Sequence, residues 1–199
     1  MYNPFDHYFN KAKKEWYKAR SAFKLEEIDQ KFAIFDKKVR TVCDIGCAPG
    51  SWLQYAAARL QALKIPDAML IGFDIKDMHI SLPHVQTYKQ DISDDVAVKK
   101  LLEKHKIEQF DLIISDMAPN TMGDKALDAI RLFNLLESTL WMYKHMLKKD
   151  GKFVTKLFMG PGFEEYIQSM KDIFGGKNIK IFKPDASRAN SKETYVIKI

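Results

Sequence analysis

"VRTVCDIGCAPGSWLQYAAARLQAL", residues 39 to 63, carries three signals in succession. Val39 to Ile45 is a short, largely apolar run bearing β-branched residues, as a buried strand requires. Gly46 to Gly50 follows as a loop whose two glycines let the backbone approach a ligand closely. From about Ser51 the pattern turns helical. Strand, glycine loop and helix together form one βα unit.

The same alternation runs on to the end of the sequence. Strand patterns at 68–75, 85–91, 110–116 and 151–158 are interleaved with helical patterns at 94–105, 125–147 and 162–174. Two more strands, 178–184 and 193–199, follow one another with no helix between them. This predicts an α/β fold with a mainly parallel seven-stranded sheet, helices on both faces and one antiparallel strand in the edge region. Ahead of the first strand, Ala22, Leu25, Ile28 and Phe32 share one face of an amphipathic helix that packs on the sheet. The 199 residues suit a single domain, with 1–38 as a basic helical extension.

Composition excludes several classes. No stretch of about 18 apolar residues is available for a membrane span, and the first twenty residues lack the apolar centre of a signal peptide. The expectation is a cytoplasmic protein, with an organelle or the nucleus as the eukaryotic alternative. Cys43 and Cys47 have no second pair, and His7, His79, His84, His105 and His145 are scattered, so neither a disulfide framework nor a metal site is expected. The net charge of +6 is unevenly spread. Residues 1–40 hold 10 Lys and Arg against 6 Asp and Glu, 41–176 hold 16 against 18, and 177–199 hold 6 against 2. If the fold brings the two ends together, they form a surface that attracts phosphates; otherwise they are two solvated lysine-rich faces.

In an open parallel sheet, ligands bind beyond the carboxyl ends of the strands. Those exits carry Asp74, Asp91 and Asp116, with Asp44 at the end of the first strand. The glycines follow neither the dinucleotide G-x-G-x-x-G nor the triphosphate G-x-x-x-x-G-K-[ST] pattern, which disfavours a dehydrogenase and points to another adenosine-containing ligand. Asp74 suits ribose hydroxyls, Asp91 the adenine amino group, and Asp44 and Asp116 the ammonium of an amino-acid tail. S-adenosylmethionine fits this set better than NAD. Any one of these aspartates also reads as a cap or turn residue.

Lys156 interrupts the apolar run "GKFVTKLF". It leaves the fifth strand as Asp116 leaves the fourth, so the two meet if those strands are neighbours. A salt bridge is the bland reading. The chemical one is a general base: a weak oxygen nucleophile needs its proton removed, and Lys24 offers a second cation nearby. The segment "DMAPN" lacks the Pro-Pro-aromatic run typical of enzymes that methylate base amines, which favours oxygen as the acceptor.

Taken in order, "KARSAFKLEEI", "CDIGCAPGSW", "SDMAPN", "FVTKLFMGPGF" and "KPDASRANSKETYVI" resemble the FtsJ/RrmJ-type RNA ribose 2′-O-methyltransferases, over about Tyr17 to Val196. The resemblance implies a Rossmann-like fold using S-adenosylmethionine, which becomes S-adenosylhomocysteine. It also implies a catalytic tetrad of Lys24, Asp116, Lys156 and Glu193, with Lys156 as base. Cofactor contacts are expected from Asp44, Gly46, Pro49, Gly50, Trp52, Asp74, Asp91, Ile92 and Asp116. RNA contacts are expected from Lys11, Lys14, Lys18, Arg20, Lys183, Arg188 and Lys192, and the implied partner is ribosomal RNA of the large subunit. No stretch reads as a dedicated oligomerisation element, so a monomer is expected. A tRNA anticodon loop, an mRNA cap, and a non-catalytic assembly factor are the alternatives. Two departures stand out: Ser51 replaces a second glycine after "APG", where it can still cap the helix, and Asn190 interrupts the basic run before Glu193. Tyr8, Phe9, Trp16 and Tyr17 either dock the amino-terminal segment or stack on an unpaired base. "MGPGF" either shapes the pocket mouth or makes a turn.

Overall fold

The computed structural model describes residues 7–78, 80–119, 123–188 and 190–199. His79, Asn120 and the side chains of Phe9 and Lys125 lie outside the described part.

The strands are β1 (Thr41–Ile45), β2 (Met69–Asp74), β3 (Val85–Lys89), β4 (Phe110–Ser115), β5 (Leu147–Phe158), β6 (Ile179–Phe182) and β7 (Glu193–Lys198). They form one sheet in the order β3-β2-β1-β4-β5-β7-β6. Pairings from β3 through β5 are parallel, and β7 is antiparallel to both β5 and β6. The antiparallel strand is thus the last but one, with β6 outside it. The helices are α1 (His7–Lys14), α2 (Ala22–Phe32), α3 (Ser51–Ala62), α4 (Asp95–Lys104), α5 (Lys125–Trp141) and α6 (Phe163–Phe174).

Alternation along the strands divides the core in two. Val42, Leu112, Ile114, Val154 and Ile197 face Leu25 and Ile28 of α2 and Leu53, Ala56 and Leu60 of α3. Cys43, Ile113 and Phe153 face the other way, onto α4, α5 and α6. Cys43 and Cys47 therefore lie in different layers, both buried and both free thiols. The chain runs from β1 outward to β3, then restarts at β4 on the far side of β1. This switch point lies at the ends of β1 and β4, where loops 46–50 and 116–119 leave the sheet.

Three boundaries differ from the sequence reading. The helical pattern at 125–147 ends as α5 at Trp141 and continues as one π turn, Met142–Met146. β5 starts at Leu147 rather than 151, and the register breaks between Phe110 and Leu112, so the polar 148–150 segment bulges out before the buried run resumes. The third strand ends at Lys89, which leaves Asp91 in the following turn. Ser51 is also not the cap: Gly50 holds that position at φ 105°, and Ser51, the first residue of α3, shares a 2.8 Å hydrogen bond with the Ser21 hydroxyl.

α2 is fastened by Asp29, which is 2% exposed. Its carboxylate accepts from the Phe35 amide at 2.9 Å, the Tyr55 hydroxyl at 2.9 Å and Arg59 Nε at 2.7 Å. A buried carboxylate satisfied this way fixes α2 against α3.

Candidate active site

Register decides which side chains meet. Ser115 pairs with Thr155, so Asp116, just beyond β4, comes beside Lys156. Lys156 stands opposite Tyr195 in β7, and Glu193, two residues from Tyr195, shares its face. That face is the one covered by α2, whose first turn brings in Lys24.

Lys156 Nζ lies 3.1 Å from Asp116 Oδ1 and also donates to the Asp116 carbonyl. Lys24 Nζ lies 2.7 Å from Glu193 Oε1, and the Tyr195 hydroxyl donates to Asp116 Oδ1 at 2.7 Å. Burial alone would raise the Asp116 carboxyl, but Lys156, then Lys24 and the Tyr195 hydroxyl outweigh it and hold it below the usual carboxylate value. Tyr195 is pushed well up by burial and by the neighbouring Asp116 and Glu193, so it remains a neutral donor. Two cations and two anions thus converge, with Lys156 only 7% exposed. The group can hold a hydroxyl and exchange a proton with it through the Lys156 amine.

A cavity of about 520 Å³ opens at the switch point, a volume suited to a small molecule. Gly46, Asp74, Asp91, Ile92 and Asp116 line it. Asp74 keeps spare acceptor capacity while taking the Ala48 and Lys76 amides at 2.9 and 2.8 Å. Asp91 Oδ1 accepts from the Ser93 amide and hydroxyl at 2.9 and 2.8 Å. Gly46, at φ 75°, admits no side chain: a Cβ there would stand 2.4 Å from that of Met117. Asp44 does not line the cavity; it is 1% exposed, and neither carboxylate oxygen has a hydrogen-bond partner. Burial and the Asp116 and Asp74 carboxylates push its carboxyl well up. An unsatisfied carboxyl beside an acid-lined cavity is the setting in which a ligand bearing an ammonium gains most.

Pro49, Gly50 and Trp52 are not among the cavity's lining residues. The Trp52 indole is buried, donates to the Ser21 carbonyl at 2.8 Å and packs 5.9 Å from Tyr195, so it joins α3 to the start of α2. Lys76 and Arg131 do line the cavity and went unnoticed in the sequence; Arg131 lies within α5, where no motif marks it. In "MGPGF", Gly162 caps α6 with its Cα packed against Phe133, the turn of the two sequence readings. Among the described residues, no group of His, Cys, Asp and Glu could hold a metal ion.

The two basic ends do meet. Glu27 of α2 accepts from the Asp185 and Ala186 amides at 2.6 and 2.9 Å, and Arg20 donates to the Ala186 carbonyl. Arg20, Lys24, Arg188, Ser191 and Glu193 surround a second hollow of about 270 Å³ on the tetrad's flank. Burial, then the nearby Arg188, lowers the Arg20 guanidinium, with Glu193 acting in the opposite sense. Lys14, Lys18, Lys183 and Lys192 are exposed. Lys11 is partly engaged, lying 3.7 Å from Glu26 and over the Phe23 ring.

The FtsJ-like methyltransferase family pattern matches residues 17–199. Relatives named "Ribosomal RNA large subunit methyltransferase E" include those of Syntrophobacter fumaroxidans, 41% identical over 96% of this chain and 93% of that one. The Bdellovibrio bacteriovorus protein of the same name is 40% identical over 98% and 96%. Among solved structures, a protein of Plasmodium falciparum described as a ribosomal RNA methyltransferase covers 92% of this chain and 97% of its own, at 26% identity and a TM-score of 0.77. The MycE methyltransferase, at 13% identity and a TM-score of 0.52 over 96% of this chain and 54% of its own, shares the fold alone. The chain belongs to the FtsJ-like methyltransferases, and its sheet is the Rossmann-like one of that class.

Proposed function

We propose that this enzyme methylates a ribose 2′-hydroxyl in RNA, on a uridine of large-subunit ribosomal RNA, with S-adenosylmethionine as donor. The observation that carries this reading is the convergence of Lys24, Asp116, Lys156 and Glu193 beside an acid-lined cavity. The names of its relatives support the substrate class.

When bound, the cofactor supplies an electrophilic methyl group on a sulfonium centre. The chain's residues do the rest. Asp74 and Asp91 are suited to the adenosine, with Gly46 and Ile92 forming walls, and Asp116 offers negative charge to the ammonium. Lys156 is the group placed to receive the proton that the 2′-hydroxyl loses. Asp116 and Tyr195 aim that amine, and the Lys24–Glu193 pair orients the ribose from the other side. Arg20 and Arg188 hold the adjoining phosphates.

The whole chain is read as one catalytic domain with 1–38 as its basic extension, a cytoplasmic monomer. No helix among the described residues is long and apolar enough to cross a membrane. The test is label transfer from S-adenosylmethionine to large ribosomal subunits lacking the modification, to deproteinised ribosomal RNA and to total tRNA, with the methylated atom mapped. Label at one ribose oxygen of the large subunit is the expected result. Label on a base would overturn the ribose assignment, label only in tRNA would overturn the ribosomal one, and bound cofactor without transfer would make the protein an assembly factor.

A further inference from the structure

The segment joining α1 to α2 holds an aromatic residue that the fold does not use. Trp16 is 88% exposed, while its aromatic neighbours are absorbed: Tyr8 and Tyr17 each pack 5.7 Å from the Phe23 ring. Its backbone sits at φ 62°, in the left-handed region, where any side chain is strained and glycine is the natural occupant. A tryptophan here costs backbone strain and apolar exposure at once, and no packing offsets either.

The turn is nevertheless held firmly. Gln54, in the first turn of α3, accepts from the Lys18 amide at 2.7 Å and donates to the Trp16 carbonyl at 3.1 Å. The Trp16 amide is bonded to the Lys13 carbonyl. α3 begins directly after the glycine loop, so the indole is displayed at the end of the sheet where the cavity and the tetrad lie. Lys13, Lys14 and Lys18 flank it in sequence and are exposed, against one acid, Glu15. An outward aromatic plane on a turn whose backbone is held, in a cationic rim, matches the chemistry of an unpaired nucleobase, whose face stacks while its phosphates meet the lysines.

The geometry points to Trp16 as a stacking site for an unpaired base of the RNA substrate, outside the tetrad and the cofactor cavity. This rests on RNA being the substrate. Bases inside a duplex are already stacked and cannot reach it.

Three tryptophans are present, and the other two are sheltered: Trp52 is buried, and Trp141 is half-buried with its indole nitrogen on the Ile92 carbonyl. The part of the indole quench that Trp16→Gly removes therefore reports on Trp16. The full chain is titrated with single-stranded oligouridylate and with an RNA duplex, as wild type, Trp16→Gly and Trp16→Phe. Single strands should quench the wild type and the duplex should not. Trp16→Gly should lose the quench and bind single strands roughly five-fold or more weaker, since stacking on one base is worth about that much. Trp16→Phe should keep much of the affinity. Trp16→Gly should melt no lower than wild type, because glycine relieves the strain. Equal single-strand affinity in Trp16→Gly, equal quenching by both RNA forms, or a lower melting point for Trp16→Gly would overturn the site. Binding is read without methyl transfer, so an inactive protein that quenches would sink the enzymatic reading alone, and an active one indifferent to Trp16 would sink this one alone.

Discussion

Lys156 and Asp116 are 40 residues apart in sequence and 3.1 Å apart in space, because Thr155 pairs with Ser115 in adjacent parallel strands. Each enters the site on the first residue past that pair. The pairing register, rather than any local turn, sets the distance between the proposed base and the carboxylate that aims it.

Lys156→Arg separates charge from basicity. Arginine keeps an ion pair with Asp116 but stays protonated, so it cannot take a proton. Methyl transfer should fall by about 10²-fold or more while cofactor affinity and melting temperature stay near wild type. Retained activity in Lys156→Arg would remove the base role.

Lys24 and Glu193 form a partly buried pair, with side chains 11% and 12% exposed. Lys24→Met leaves the Glu193 carboxylate unpaired in a sheltered site and should cost up to about 3 kcal/mol. Lys24→Met with Glu193→Gln should regain much of that loss in denaturant melts and none of the activity. If the double variant is no more stable than Lys24→Met, the pair is not coupled.

Asp44 and Asp116 should divide the acid side of the stability curve between them. Asp116 lies below its unfolded value of 3.8, so the stability it adds is fully present above pH 3.8 and is lost as pH falls through the folded value. Asp44 is raised well above 3.8, so its contribution is full below that pH and fades as pH rises toward the folded value. Melting temperatures of the ligand-free protein measured upward from pH 3.8 should therefore fall less steeply for Asp44→Asn than for wild type. Parallel curves would show that Asp44 titrates as in the unfolded chain.

Asp29→Ala removes three hydrogen bonds from a buried carboxylate and leaves the Phe35 amide, the Tyr55 hydroxyl and Arg59 without it. A loss of about 3 kcal/mol is expected, which for a domain of this size lowers the melting point by roughly 2–4 °C per kcal/mol. Calorimetry checks the magnitude. Because α2 carries Lys24, activity should fall before global unfolding begins.

Much of this was legible in the sequence because it depends on period and order. The alternation of β-branched runs with helical patterns gave all seven strands, and the missing helix between the last two gave the antiparallel pairing. Lys156 stood out because lysine is costly in an apolar run. What escaped depends on geometry that short patterns do not encode. Nothing near Ser51 says that the cap belongs to Gly50 and that the serine turns sideways to Ser21. Arg131 reaches the cavity from mid-helix, where its sequence neighbours resemble those of any exposed arginine. Trp52 and Trp16 are alike in sequence as aromatic residues near a turn, yet one is 2% and the other 88% exposed, because the first lies on the buried face of α3 and the second in the turn between α1 and α2.

The place of β7 between β5 and β6 also bears on how the molecule opens. β6 borders the sheet and is paired with β7, while β7 delivers Glu193 and Tyr195 to the tetrad. Any fluctuation that peels β7 from β5 carries β6 with it and withdraws Glu193 from Lys24 and Tyr195 from Asp116 in the same event. Amide exchange along Ile179–Phe182 and the lifetime of the assembled tetrad are therefore two readings of one cooperative unit.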